Sequence, residues 1–315
     1  MTITQLKYLI SVAENKNFTI AAEKCFVTQP TLSMQIQKLE EELDILIFDR
    51  RTKPVKITEV GSQILEQAYS IVSEANRMQD IVDQFKGYIG GELRLGIIPT
   101  IMPTLLPMFL HNFTKKYPKV ELIIEELNTE DILTKLHKGH LDCAIAATPL
   151  NDDKIKEYPL YYEPFVAYVP ENNALSNKGN LEVEDIDTDS VLLLQDGHCF
   201  TNSVLNMCQK NISTKEKNFR IESGSFETLI KLADEGLGYT LLPYLHTLEM
   251  NDKNKAKLKE FNDPKPAREV SLIFPTQQLK IHTIQALREV ILGVVRGAIH
   301  FQDVKIISPV KNSKN

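Results

Sequence analysis

The chain of 315 residues has no apolar run long enough to cross a bilayer, which takes about 18 residues. Its first residues, Met1 to Ala13, carry an apolar stripe but not the charged start, apolar block and small-residue cleavage site of a secretory signal. The expectation is a cytoplasmic protein with no membrane partner. Cysteine is scarce. Four residues make no disulfide scaffold at this size, and cytoplasmic thiols stay reduced unless they sense or react. No glycine-rich phosphate loop, nucleophile elbow or internal repeat occurs, so nucleotide-driven and serine-hydrolase chemistries lack their signatures. His137, His140 and Cys143 have loosely metal-like spacing, but Gly139 breaks the helix between them and Cys143 opens a strand. Neither a metal nor another cofactor is expected. Net positive charge is lacking too: the formal net charge is −6. That does not exclude DNA, because affinity depends on local Lys and Arg, and a large acidic domain can mask a small basic one.

The length suits two or three domains. Residues 1–58 read as short helices with tight turns. Leu6, Leu9, Ile10 and Ala13 recur at helical spacing, Phe18, Ala21 and Ala22 begin a second helix, and Thr28 caps a third with Pro30 in its first turn. The third helix buries Leu32, Ile36, Leu39 and Leu43. Its other face offers Gln29, Pro30, Thr31, Ser33, Gln35 and Lys38. Small residues where helices touch, a tight turn and a polar second helix are the requirements of a helix-turn-helix. Gln can read adenine in the major groove, and a Thr methyl can meet thymine. Arg50, Arg51, Lys53 and Lys56 lie around Pro54, which fits a hairpin wing, and would neutralise phosphates. The partner is double-stranded DNA.

Residues 59–90 read as a linker helix and a glycine-rich hinge. Ile64, Ala68, Ile71, Ala75, Met78, Val82 and Phe85 step by threes and fours, the seam of a two-stranded coiled coil. Packing of that stripe on its own domain is the alternative. From 91 to 301 strands and helices alternate, which predicts an α/β domain with a mainly parallel sheet. Residues 302–315 are polar and lysine-rich and read as a disordered tail. The fold class is a multidomain α+β and α/β chain.

Cys199 follows an apolar strand and the breaker Gly197, and a helix starting there would place the sulfur at a helix N-terminus beside His198. Both features favour the reactive thiolate. Peroxide would make a sulfenic acid that Cys208 could capture. Along one helix the two Cα atoms would lie about 13 Å apart, whereas a disulfide needs about 7 Å or less, so pairing requires unwinding. On spacing alone, two unrelated buried thiols explain the pattern as well. Cys25 and Cys143 read as packing residues.

Phe18-Thr19-Ile20-Ala21-Ala22, Thr28-Gln29-Pro30-Thr31-Leu32-Ser33 and Leu39-Glu40-Glu41-Glu42-Leu43 resemble the winged helix-turn-helix of the LysR-type regulators. That resemblance implies a two-lobed effector domain like the periplasmic binding proteins, a homotetramer built as a dimer of dimers, and recruitment of RNA polymerase. Leu192-Leu193-Leu194-Gln195-Asp196-Gly197-His198-Cys199 with Cys208 resembles the peroxide-responsive branch of that family. It implies that Cys199 is peroxidatic, Cys208 resolving, that Thr100, Thr129, His198 and Arg268 position hydrogen peroxide, and that cellular dithiols reset the pair. Two departures stand out. Asn202 replaces an Asp common in the branch, and Pro275-Thr276 replaces an Arg-Pro. The competing functions are a LysR-type regulator answering a small metabolite, a thiol peroxidase, and an exported solute-binding protein. The peroxidase would leave the first 88 residues without a purpose.

Overall fold

The structure is a computed structural model and describes residues 1–195, 199–207, 224–299 and 304–310. The chain divides into two compact units: residues 1–87 with 138–140, and the remainder. No helix among the described residues is long and apolar enough to cross a membrane.

The first unit opens with α1 (Ile3–Asn15), α2 (Phe18–Lys24) and α3 (Gln29–Leu43). Each starts on a side-chain cap. Thr2 and Gln5 form a capping box, Asn17 accepts from the amides of Thr19 and Ile20, and Thr28 accepts from that of Thr31. Ala21 and Ala22 are buried between helices, as a close crossing requires. Strands β1 (Phe48–Asp49) and β2 (Lys56–Ile57) pair antiparallel as the wing. The helix α4 (Glu59–Lys86) follows. Its apolar stripe splits. Ala68 is buried and Ile64 packs in the core of this unit with Leu6, Leu9 and Phe48. Further along, Ile71, Met78, Val82 and Phe85 are exposed, Phe85 to 93%.

The second unit contains β3 (Gly91–Ile97), α5 (Met102–Lys116), β4 (Val120–Glu126), α6 (Thr129–His137), β5 (Cys143–Thr148), β6 (Ile155–Tyr168), β7 (Val191–Leu192), α7 (Cys199–Met207), α8 (Phe226–Asp234), β8 (Tyr239–Pro243), α9 (Tyr244–Leu248), α10 (Asp252–Lys255), β9 (Leu258–Lys259), β10 (Lys265–Pro275), α11 (Ile281–Val295) and β11 (Val304–Ile306). It has two hydrophobic cores. One gathers Leu95, Ile97, Phe109, Ile145, Leu272 and Leu287, the other Phe165, Tyr168, Phe200, Leu229, Leu241 and Phe261.

The sheet corrects the expectation of mainly parallel strands. β3 runs parallel to β4 and β5, and β7 to β8, but β10 is antiparallel to both β5 and β6, and β6 to β8. The longest ladder is the antiparallel pair β6–β10, and β6 serves both cores. Spacing alone does not mark all of β6 as one strand, because Pro159 and Pro164 interrupt it. Pro159 is accommodated where the register shifts, between Val270 and Ser271 on the partner strand. The expected disordered tail also needs correction. β11 pairs parallel with the start of β10, Ile307 is buried in the second core, and the Asn206 side chain donates to the carbonyls of Ser308 and Val310, both at 2.8 Å. Residues 311–315 lie outside the described residues.

Candidate functional site

The first candidate surface is the outward face of α3. Gln29, Pro30, Thr31 and Lys38 are exposed, and Ser33 and Gln35 half-buried, while Leu32, Ile36 and Leu39 point into the core. The Thr31 hydroxyl is shared with the cap, 2.8 Å from that of Thr28. The wing cations are not all alike. Lys53 and Lys56 are exposed. Arg51 pairs with Asp49 at 3.0 Å. Arg50 donates to Glu40 Oε2 at 2.8 Å and to Ser33 Oγ at 3.2 Å, and its guanidinium lies over Phe18. Sequence reasoning missed Glu40, which is 5% exposed. Its Oε1 accepts from the amides of Ile47 and Phe48. One carboxylate thus fastens the wing, its arginine and the reading helix together, and only a charged residue on an otherwise apolar helix face hinted at it.

The second candidate site is built around Cys199, the first residue of α7, 7% exposed. The Thr129 hydroxyl, at the start of α6, is hydrogen-bonded to its sulfur. Burial pushes the Cys199 thiol up, more than the Thr129 hydrogen bond and the charge of Arg268 pull it down. Burial therefore works against the thiolate that a helix N-terminus was expected to favour. His198, the other group expected to favour thiolate, lies outside the described residues, as does Cys208.

Arg268, on β10, and Glu163, on β6, face each other across the ladder, each 1% exposed. Nε and Nη2 of Arg268 donate to Glu163 Oε2 at 2.9 and 2.7 Å. The other arginine nitrogen, Nη1, donates to Thr100 Oγ1 at 2.8 Å, and Nη2 also to the Thr100 carbonyl at 3.0 Å. The ring of Phe200 lies 5.3 Å from the guanidinium carbon. Thr100, Thr129, Cys199 and Arg268, singled out by resemblance, are therefore linked by contact or charge. Glu163 was not foreseen. Tyr161, two residues before it on the same strand, is buried with its hydroxyl unpartnered among the described residues, and burial pushes that phenol well up.

The remaining candidates lie elsewhere. Asn202 sits half-buried on α7. Pro275 ends β10, and the Thr276 amide donates to the Lys154 carbonyl at 2.9 Å. Cys143 is wholly buried on β5, and burial drives its thiol well up. Cys25 is half-buried at the end of α2. His137 pairs with Asp152 at 3.0 Å.

A helix-turn-helix with a wing, a long helix and a two-core α/β domain holding a buried thiol define a DNA-binding regulator with its sensor on the same chain. Residues 3–62 match the bacterial regulatory helix-turn-helix proteins of the lysR family, and residues 86–296 match the LysR substrate binding domain. The chain belongs to the LysR family of bacterial transcriptional regulators, which are not enzymes. Its relatives within that family include OxyR proteins. It is 32% identical to the hydrogen peroxide-inducible genes activator of Pectobacterium carotovorum subsp. carotovorum, over 87% of this chain and 90% of that one. It is 31% identical to the DNA-binding transcriptional dual regulator OxyR of Escherichia coli K12, over 96% and 98%. Among solved structures, a full-length OxyR from Pseudomonas aeruginosa, with one cysteine replaced by aspartate, aligns with a TM-score of 0.72 at 31% identity, covering 93% of this chain and 98% of that one. A hydrogen-peroxide-bound cysteine mutant of Corynebacterium glutamicum OxyR aligns with a TM-score of 0.63 at 27% identity, over 94% and 93%.

Proposed function

We propose that this protein is a cytoplasmic regulator of the oxidative-stress response, mainly an activator, that is switched by hydrogen peroxide through a reversible Cys199–Cys208 disulfide. The observation that carries this reading is the placement of Cys199: a buried thiol on the Thr129 hydroxyl, acted on by the charge of Arg268, which is itself bonded to Thr100. Peroxide is small, polar and uncharged, and it suits a pocket of hydroxyl and guanidinium donors. The sulfur attacks one peroxide oxygen, the O–O bond breaks as S–O forms, and the other oxygen takes up the thiol's proton and leaves as water. The Cys208 thiol then displaces a second water from the sulfenic acid. His198 would help hold the peroxide.

The helix α7 runs from Cys199 to Met207, so about 12 Å of helix rise separates Cys199 from the residue before Cys208. Closing the bond unwinds it, and this gives the chemistry its mechanical output. Gln29, Pro30, Thr31, Ser33, Gln35 and Lys38 read or approach base edges, and Arg50, Arg51 and Lys53 meet phosphates. The exposed part of the α4 seam pairs two chains, two such pairs make the tetramer, and the refolded tetramer presents RNA polymerase with a new geometry. Cellular dithiols reduce the pair by exchange.

The test is thiol-trapping mass spectrometry on reduced protein before and after a stoichiometric pulse of peroxide. The expected result is rapid appearance of a cross-linked peptide joining Cys199 and Cys208, absent from Cys199→Ser. Both thiols staying reduced while Cys25 or Cys143 oxidises slowly would end the peroxide reading and leave a LysR regulator of another signal.

A further inference from the structure

We propose that Glu163 is a positioning residue of the thiol site, holding the Arg268 guanidinium so that the Thr100 hydroxyl is left as a donor to the departing peroxide oxygen. The proposal rests on the reading of Cys199 as the peroxide-reactive thiol. A carboxylate and a guanidinium at 1% exposure persist only when paired and hydrogen-bonded. Glu163 is held from two sides: Oε2 accepts twice from Arg268, and Oε1 accepts from the Leu245 amide at 2.9 Å, at the start of α9.

The hydrogen bonds have a direction. An ionised carboxylate only accepts, and a guanidinium only donates. Two of the arginine's N–H bonds go to Glu163. Of the others, one goes to the Thr100 carbonyl and one to the Thr100 hydroxyl. Because that hydroxyl accepts from Arg268, its own hydrogen is left to donate elsewhere. One of the five guanidinium N–H bonds, on Nη1, has no partner among the described residues. Two donors are thus left over, one of them on the guanidinium whose charge acts on Cys199, and both are fixed by the Glu163 carboxylate. Phe200, stacked beneath the guanidinium, completes the seat and is the neighbour of Cys199 in sequence.

When Cys199 attacks peroxide, negative charge develops on the departing oxygen only as the O–O bond breaks. Donors already aimed by the fold stabilise that charge without reorganising. Alkylation of the same sulfur needs the thiolate but no oxygen donor, so the two reactions separate the effects.

The test compares both rates at Cys199 in the reduced full-length chain. In Glu163→Gln, an amide that also donates replaces a group that only accepts, and the seat of Arg268 loosens. Sulfenic acid formation is expected to slow by about ten- to a hundredfold. Alkylation by iodoacetamide is expected to hold or rise, because the Arg268 charge that acts on Cys199 is then no longer neutralised by a carboxylate. A merely structural role would move both rates together. A folded variant that reacts with peroxide within about twofold of wild type would overturn the proposal. Should the uncompensated arginine unfold Glu163→Gln, Glu163→Asp carries the same comparison, since it keeps the charge but draws it back by one methylene. A wild-type Cys199 that reacts with peroxide no faster than a free thiol would remove the peroxide reading itself. A fast wild type with an equally fast variant would remove only the role of Glu163.

Discussion

Cys199 is pulled in two directions by its surroundings. Burial favours the neutral thiol, while the Thr129 hydroxyl and the Arg268 charge favour the thiolate, and burial prevails. The consequence is a pH dependence of definite sign. With the thiol's pKa raised, the neutral form dominates at neutral pH, and the reactive fraction grows as pH climbs toward that pKa. Alkylation of Cys199 in reduced protein, read peptide by peptide, should rise about tenfold per pH unit between about pH 7 and 9. A plateau already reached below about pH 7 would mean that the site holds a standing thiolate and that desolvation has been overrated. At this scale the sequence spoke unevenly. Cys199 was named on its own segment, and Thr100, Thr129 and Arg268 on the resemblance to a peroxide-responsive branch. Glu163 was not, because a lone acid in a strand has no motif and its partner is 105 residues away. The direction of the thiol's shift was not legible either, since burial is a property of the packed core and not of the helix end.

Among the elements, the helices of the first unit were readable because caps and 3.6-residue spacing are local. The sheet was less so, since strand direction is settled by partners far away and a proline at a register shift mimics a chain break. α4 shows both outcomes in one helix. Its heptad stripe is regular throughout, yet Ile64 and Ala68 serve the core of their own unit and only the later positions remain exposed. Spacing alone cannot divide a stripe between two uses. The exposed residues carry the proposed pairing of chains. Replacing Met78 and Phe85 with Asp, at 72% and 93% exposure, should leave the melting temperature of the monomer unchanged while breaking association. Each interface would lose two copies of both side chains, a cost of about 4 kcal/mol or more, roughly a thousandfold in Kd. Sedimentation and operator binding at fixed salt would report it. Unaltered assembly in the double variant would move the dimer contact away from this seam.

For the whole molecule, the regulatory unit joins two cores through β6 and β10, and the chain's last described residues return to that frame. β11 extends β10, Ile307 enters the second core, and two carbonyls of the tail hold Asn206 on α7. The polar, lysine-rich composition of the tail concealed this, because three strand residues and one buried isoleucine are too short a signal to rise above it. The attachment matters to the proposed switch, in which α7 has to unwind for Cys199 to pair with Cys208. α7 has only nine residues, it includes Thr201, Asn202, Ser203 and Val204, and the Ser203 hydroxyl is bonded to the Cys199 carbonyl at 3.1 Å. Such a sequence has little helical preference of its own, so its stability comes from what it packs against. Removing residues 304–315 takes away the β10–β11 ladder, the bond from the Ile307 amide to the Ala267 carbonyl, both Asn206 hydrogen bonds and one buried isoleucine, worth about 4 kcal/mol or more. The shortened protein should melt earlier. Its Cys199 should form sulfenic acid at the ordinary rate, because Thr129, Thr100 and Arg268 are untouched, but the step from sulfenic acid to disulfide should quicken as α7 opens more readily. Rapid quenching with mass detection resolves the two steps. If disulfide closure kept its full-length rate in a shortened chain with a lowered melting temperature, the tail would stabilise the sheet alone, and the barrier to closure would have to lie in contacts of α7 other than Asn206.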